Sequence, residues 1–130
     1  MSISPPTKNT LFPVFLKLET LQLLIVGGGN IGLEKLEAVL GNSPTTRIKI
    51  VATEFIEEVR ELASTYSNIS IHEKKFEAND LDGMELVILA TNDNVLNAAI
   101  KKLTKERRLL CNVADKPDLC DFYLGSIVQK

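Results

Sequence analysis

The sequence predicts an α/β fold, a doubly wound parallel sheet with helices on both faces, and three observations carry that expectation. Five short apolar runs alternate with helix-like stretches. All but the third run are rich in Leu, Ile and Val at successive positions, as strands buried on both sides of a parallel sheet are. A glycine-rich turn joins the first run to the first helix-like stretch.

The first strand is read at Leu21–Val26. The helix after it spans Asn30–Leu40, where Ile31, Leu33, Leu36, Val39 and Leu40 form an apolar stripe and Gly41 supplies a stop. The second strand, Arg47–Ala52, leads into a helix over Glu54–Tyr66 with Phe55, Ile56, Val59, Leu62 and Ala63 on one face. Its acidic first turn suits the positive end of a helix dipole. The third run, Ile69–Glu73, alternates apolar and polar residues, the pattern of an edge strand with one wetter face. Phe76–Gly83 is short and acidic, a helical turn or two at most. The fourth strand, Leu86–Ala90, precedes a helix over Asn94–Arg107 that turns Val95, Leu96, Ala98, Ala99, Ile100 and Leu103 inward. The fifth strand is Leu109–Val113. Strands alternating with helices require right-handed crossovers.

Beyond Val113 the pattern changes. Asp115–Asp118 reads as a loop and Asp121–Val128 as a further strand, with Phe122, Leu124 and Ile127 along one face. A terminal apolar strand needs a partner, either a second copy of the chain or a further segment beyond Lys130, and a homodimer is the expectation. The organisation is then a main domain over residues 1–115 and, over 116–130, a loop and strand that begin a dimerisation segment.

Bulk properties exclude several classes of function. At 130 residues, 45% of them hydrophobic and 25% charged, the chain suits one domain that buries roughly two-thirds of its unfolded surface. A net charge of −2 with both signs interspersed argues against a nucleic-acid partner. No apolar stretch approaches the ~18–20 residues of a membrane span, and the polar first ten residues do not resemble a secretory signal. Cys111 and Cys120 read as reduced thiols in a cytoplasmic protein without membrane contact.

Chemistry concentrates at the glycines. Gly27-Gly28-Gly29-Asn30-Ile31-Gly32 is a full G-x-G-x-x-G that follows an apolar strand and opens an amphipathic helix, the context of a Rossmann-like dinucleotide site. Gly27 makes the tight turn, Gly29 admits a pyrophosphate close to the backbone, and Gly32 permits close helix–strand packing. The helix N-terminus adds free N–H donors and positive dipole. At the end of the second strand, Thr53-Glu54 has two readings: Glu54 holds a ribose hydroxyl, or it is a favourable charge in a helix's first turn. No Arg follows that strand closely, which favours NAD over NADP.

Ligands of such sheets lie outside the strands' carboxyl ends, so Thr91–Asn94 and Asn112–Asp115 should flank the nicotinamide half, with Thr91 among the cofactor-binding residues. Asp93 is read as a helix cap. Asp115 has no helix close behind it, and a carboxylate beside a nicotinamide can take a proton as hydride leaves the substrate. His72, on the presumed edge strand, is read as structural, and Cys111 as a small buried apolar residue. Cys111, Cys120 and His72 lack zinc-ligand spacing, so no metal site is expected.

Several segments together resemble the precorrin-2 dehydrogenase family, which includes bifunctional sirohaem synthases that also chelate iron. They are Leu11–Leu16, Leu24–Lys35, Ala90–Asp93, Cys111–Pro117, Asp121–Tyr123 and Ser126–Val128, with Asn112-Val113-Ala114-Asp115-Lys116-Pro117 the most specific. The resemblance implies NAD-dependent oxidation of precorrin-2 to sirohydrochlorin on the route to sirohaem. It implies cofactor contacts at Asn30, Ile31, Thr53 and Glu54, and makes Asp115 the catalytic residue. A polycarboxylate tetrapyrrole substrate calls for cations, for which Lys116 and Lys17 are candidates. Family members continue into a longer dimerisation segment and a small helical domain, and Gly125 stands where they commonly have proline. The alternative is a regulatory nucleotide-sensing module using the same glycine turn, but such a module has no use for Asn112–Pro117.

Overall fold

Strand side chains alternate between the two faces of a sheet, and apolar residues at successive positions require cover on both. In the computed structural model, which describes residues 10–124, five parallel strands run in the order β3-β2-β1-β4-β5. They are β1 (Gln22–Val26), β2 (Arg47–Ala52), β3 (Ile69–Glu73), β4 (Leu86–Leu89) and β5 (Leu110–Val113). The helices are α1 (Asn30–Asn42), α2 (Glu57–Thr65) and α3 (Asn94–Glu106). Short 3-10 turns cover Leu18–Thr20, Ala78–Leu81 and Pro117–Leu119. The expected doubly wound sheet is present, with β3 at an edge.

Leu23 and Ile25 of β1 join Ile48, Ile50, Leu86 and Ile88 on one face, covered by Leu36, Val39 and Leu40 of α1 and Val59 of α2. Leu24 and Val26 join Val51, Val87, Leu89, Cys111 and Val113 on the other, covered by Ile100 of α3 and Leu81. Register places Val26 beside Val51 and Leu89, and Leu89 beside Val113. Four strands therefore finish level, and the loops leaving them share one rim.

Two expected boundaries and one expected face differ, each for a local reason. Helix α1 passes through Gly41 to Asn42, because the stronger stop is Pro44, which disfavours helical backbone at Ser43. Helix α2 begins at Glu57 rather than Glu54, since the Ile56 N–H is drawn 2.9 Å to the Gly28 carbonyl and keeps Thr53–Ile56 out of the helix. On α3 the buried side is Asn97, Ile100 and Thr104, with Leu96 and Leu103 alongside, whereas Val95, Ala98 and Ala99 face outward. Two polar residues occupy that buried face, which a reading by apolar periodicity passes over.

The expected strand from Asp121 does not form over Asp121–Leu124, and residues 125–128 lie outside the described residues. Phe122 and Leu124 instead pack against the chain's own core on the α1 side. The main chain here is turned back on β5 by side-chain hydrogen bonds described below, which leaves it no extended partner.

One buried charge joins the crossover between β3 and β4 to the sheet. The Asp80 carboxylate, whose side chain is 6% exposed, lies 3.1 Å from Lys49 Nζ of β2 and 2.6 Å from Lys74 Nζ. It also accepts the Glu77 backbone N–H at 2.8 Å, half of a reciprocal capping box. Burial by itself would raise the Asp80 pKa, but the hydrogen bonds from Lys74, Glu77 and Lys49 outweigh it and hold the carboxyl below its ordinary range.

Removing that carboxylate leaves two ammonium groups facing each other, so Asp80→Ala is expected to destabilise the fold by about 2–3 kcal/mol in urea unfolding at neutral pH. Because folding depresses the Asp80 pKa, its contribution is complete above the unfolded-state value and disappears as pH falls through the folded-state one. The stability gap between the two proteins should be constant above about pH 5 and should close in stronger acid. A gap that stays open there would contradict this assignment.

Candidate functional site

The glycine turn is built by close packing. Gly27 holds φ +131°, and a Cβ on it would lie 2.3 Å from the Ala90 carbonyl oxygen at the end of β4. Its N–H donates to the Val51 carbonyl at 3.0 Å, so the turn is fastened to β2 and pressed against β4. Gly32, in the first turn of α1, would place a Cβ 2.3 Å from the Gly27 carbonyl oxygen. Both positions exclude any side chain.

Gly29 is different: around its Cβ position there is no atom within 4 Å. It is the residue before α1, and no side chain caps the helix there. The first-turn N–H groups of Asn30, Ile31 and Gly32 therefore have no side-chain acceptor, next to open space and at the positive end of the helix dipole. An anionic pyrophosphate fits that combination. Asn30 is exposed, whereas the Ile31 side chain packs into the core, so Ile31 can offer a ligand only its backbone.

Thr53 and Glu54 are exposed at the carboxyl end of β2. With α2 starting at Glu57, Glu54 lies outside the helix's first turn, and Glu57 and Glu58 take the dipole-favourable positions. Of the two sequence readings of Glu54, the helix-dipole one thereby loses its geometry. The residue that sequence reasoning missed is Gly28. A Cβ there would lie 2.3 Å from the Glu54 carbonyl oxygen and 2.6 Å from the Phe55 ring. Gly28 thus brings the glycine turn and the loop leaving β2 together, at a position the fingerprint leaves unspecified.

On the other side of the turn, Thr91 is committed to its own loop. Its hydroxyl lies 2.6 Å from Asn97 Oδ1 and accepts the Asp93 N–H at 3.0 Å, while Asn97 Nδ2 donates to the Thr91 carbonyl at 3.1 Å. Asp93 caps α3, accepting the Leu96 N–H at 3.0 Å, as read from the sequence. Buried Asn97 is a second residue that the sequence did not flag.

Asp115 follows the last buried residue after β5, Ala114, whose N–H donates to the Leu89 carbonyl at 2.9 Å. It is exposed, in the left-handed region with φ +61°. The next residue closes the turn through a Lys116 N–H to Val113 carbonyl bond of 3.2 Å. Strands β1, β4 and β5 are consecutive neighbours ending level, so Asp115 stands about two strand spacings, ~10 Å, along the rim from the glycine turn. Lys116 is exposed beside it. Lys17 instead precedes the amino end of β1, at the far side of the sheet, because the chain reaches it before entering the first strand.

The remaining candidates take no part in this rim chemistry. Burial pushes the Cys111 thiol up to about 11, which keeps it protonated and unreactive. His72 lies on the exposed side of β3, with Nε2 3.3 Å from Ser70 Oγ. Among the described residues no three His, Cys, Asp or Glu side chains converge to hold a metal ion. An open hollow of about 610 Å³ lies at the opposite, amino-terminal end of β1–β3, lined by Gln22, Arg47, Lys49, Asn68 and Ser70 among others. It lacks uncapped helix amides, and its Asn68 amide is already spent on the Pro44 and Thr46 carbonyls.

Known proteins are similar to this chain in sequence and in fold. Residues 14–126 match the family described as "Putative NAD(P)-binding". The siroheme synthase of Methylococcus capsulatus is 37% identical over 118 residues, which cover 91% of this chain and 24% of that protein. The siroheme synthase of Pseudoalteromonas atlantica is 35% identical over 119 residues, 92% of this chain and 25% of that protein. This chain thus spans about a quarter of the length of these relatives. Among solved structures, SirC, a precorrin-2 dehydrogenase, matches with a TM-score of 0.65 and 26% identity over 79% of this chain and 50% of that one. A glycine turn packed for a dinucleotide and a family match from Val14 to Ser126 agree: the chain belongs to the NAD(P)-binding family.

Proposed function

We propose that this chain is the NAD⁺-binding portion of a precorrin-2 dehydrogenase, oxidising precorrin-2 to sirohydrochlorin on the route to sirohaem. The observation that carries the reading is one rim bearing both an open, uncapped glycine turn and an exposed carboxylate at Asp115. The names of the related siroheme synthases and of the SirC dehydrogenase support the substrate.

NAD⁺, when bound, supplies the hydride acceptor. The chain's own contribution is to hold and to deprotonate. Backbone N–H groups of Asn30, Ile31 and Gly32 would hold the pyrophosphate, and Gly27 fixes the turn that aims them. Thr53 and Glu54 would hold the ribose, the Glu54 carboxylate accepting a hydrogen bond from a hydroxyl and disfavouring a 2′-phosphate. Thr91 contributes through its main chain, its hydroxyl being spent on Asp93 and Asn97. Asp115 accepts the proton that the substrate gives up as hydride leaves. Its exposure lets a large macrocycle approach, and Lys116 offers a cation to the macrocycle's carboxylates.

The same reading includes residues 1–115 as the NAD-binding unit, residues 116–130 as the beginning of a dimerisation segment, a homodimer and a cytoplasmic location. Support for a homodimer now comes from the other end of the chain, where Phe12 is 86% and Phe15 100% exposed. No helix of the described residues is long and apolar enough to cross a membrane.

Gly29→Ala should fold with stability within about 0.5 kcal/mol of the parent, since its Cβ meets nothing, yet lose about tenfold or more in NAD⁺ affinity by calorimetry. Gly32→Ala should instead lose about 2 kcal/mol or more of stability, because its Cβ meets backbone. Equal behaviour of the two variants would contradict the cradle. Anaerobic mixing of precorrin-2 with NAD⁺ and the chain, followed by NADH absorbance, tests the activity. Asp115→Asn, which tolerates the left-handed backbone, should cut turnover about 100-fold or more and leave NAD⁺ affinity within about twofold. Unchanged turnover would remove Asp115 from the chemistry, and nucleotide binding with no spectral response of the pigment would favour a nucleotide sensor.

A further inference from the structure

The outer edge of β5 is closed in an unusual way. In a parallel strand alternate residues direct N–H and C=O outward, and here those residues are Cys111 and Val113, because Ala114 bonds inward to Leu89. An edge strand with free groups invites pairing by another chain. Here the chain after Asp115 satisfies them itself. The Cys111 N–H donates to Asp121 Oδ2 at 3.0 Å, and the Asp121 N–H donates to the Cys111 carbonyl at 2.8 Å. The Val113 N–H donates to Cys120 Sγ at 3.1 Å, and the Cys120 thiol lies 3.2 Å from the Val113 carbonyl. Buried Asn112 adds a bond from Nδ2 to the Phe122 carbonyl at 3.0 Å.

Asp121 is the centre of this closure, since one carboxylate oxygen serves two elements. Oδ2 accepts from the β5 backbone and also from Lys101 Nζ of α3 at 2.7 Å. The loop that begins at Val113 and ends at Cys120 is thereby shut at its base and tied to a helix. In its first turn sits Asp115, a residue with a side chain held at φ +61°, a backbone state that costs about 1–2 kcal/mol for most residues and persists only where its surroundings impose it.

We propose that Asp121 is the positioning residue for Asp115: by bridging Lys101 to the edge of β5 it closes the loop that holds the Asp115 carboxylate on the cofactor rim. This rests on the reading of Asp115 as proton acceptor. Asp121 touches neither cofactor nor substrate in this account and acts through the loop alone. It also gives the Lys101–Asp121 ion pair a purpose beyond its modest worth as a surface contact.

The test is native-state amide exchange and turnover of the chain carrying Asp121→Ala. The Lys116 and Val113 amides, which close the Asp115 turn and the loop base, should exchange at least about tenfold faster, while the Ile25 amide in the sheet centre keeps its protection. NAD⁺ affinity should stay within about twofold and turnover per folded molecule should fall about tenfold, whereas in a chain already carrying Asp115→Asn the Asp121→Ala change should cost no further turnover. Unchanged exchange at Lys116, or unchanged turnover per folded molecule, overturns the proposal. Full activity of Asp115→Asn alone would remove the catalytic reading, and the exchange result would still decide whether Asp121 closes the loop. Should Asp121→Ala fail to fold, Lys101→Met leaves the carboxylate in place and should show the same selective loosening in smaller measure.

Discussion

Everything at the functional rim depends on how closely the Gly27 backbone is allowed to approach its neighbours. With no side chain, Gly27 sits at φ +131° against the Ala90 carbonyl, and its own carbonyl abuts Gly32. That double contact sets the distance between β1, β4 and the start of α1. It also aims the first turn of α1 at the level ends of four strands. A methyl group at either glycine would push the helix away from the sheet, and the amides would no longer converge on the space above Gly29.

Gly28 extends the same logic sideways. Its buried position against Glu54 and Phe55, and its carbonyl bond to the Ile56 N–H, hold the β2 exit loop in an extended shape rather than in helix. The Glu54 carboxylate therefore stands at the rim because a neighbouring glycine keeps it there. On the opposite flank Thr91, Asp93 and Asn97 bind the β4 loop to α3. Lys101, farther along the same helix, reaches the Asp121 carboxylate. Helix α3 thus connects the two loops that leave the carboxyl ends of β4 and β5, and β5 is fastened at its inner edge by β4 and at its outer edge by its own continuation.

Much of this was legible in the sequence because it rests on signals with a single physical cause. Strands buried on both faces have few alternatives to a parallel sheet, and Arg47–Ala52 and Ile69–Glu73 fall where the apolar runs place them. Gly27, Gly29 and Gly32 carry separate steric roles that their spacing announces. Less legible were features that need the third dimension. Gly28 occupies an unspecified position in the fingerprint, and its necessity appears only once Glu54 is seen packed on it. Asn97 and Thr104 occupy a helix face expected to be apolar, because the β4 loop and the helix's own carbonyls satisfy them. The segment from Asp121 reads as a strand by alternation, yet Asp121 and Cys120 use side chains where a strand would use backbone. Alternating hydrophobicity cannot distinguish those two ways of covering an edge.

The central claim is that cofactor and proton acceptor share the carboxyl-end rim, and backbone-amide NMR during titration with NAD⁺ tests it most directly. The largest shifts are expected at Asn30–Gly32 and Thr53–Glu54, smaller ones at Thr91 and Ala114–Lys116, and none at Gln22, Arg47 or Ser70 at the amino-terminal end. Shifts concentrated around Gln22, Arg47 and Ser70, or a glycine turn that does not respond, would contradict it.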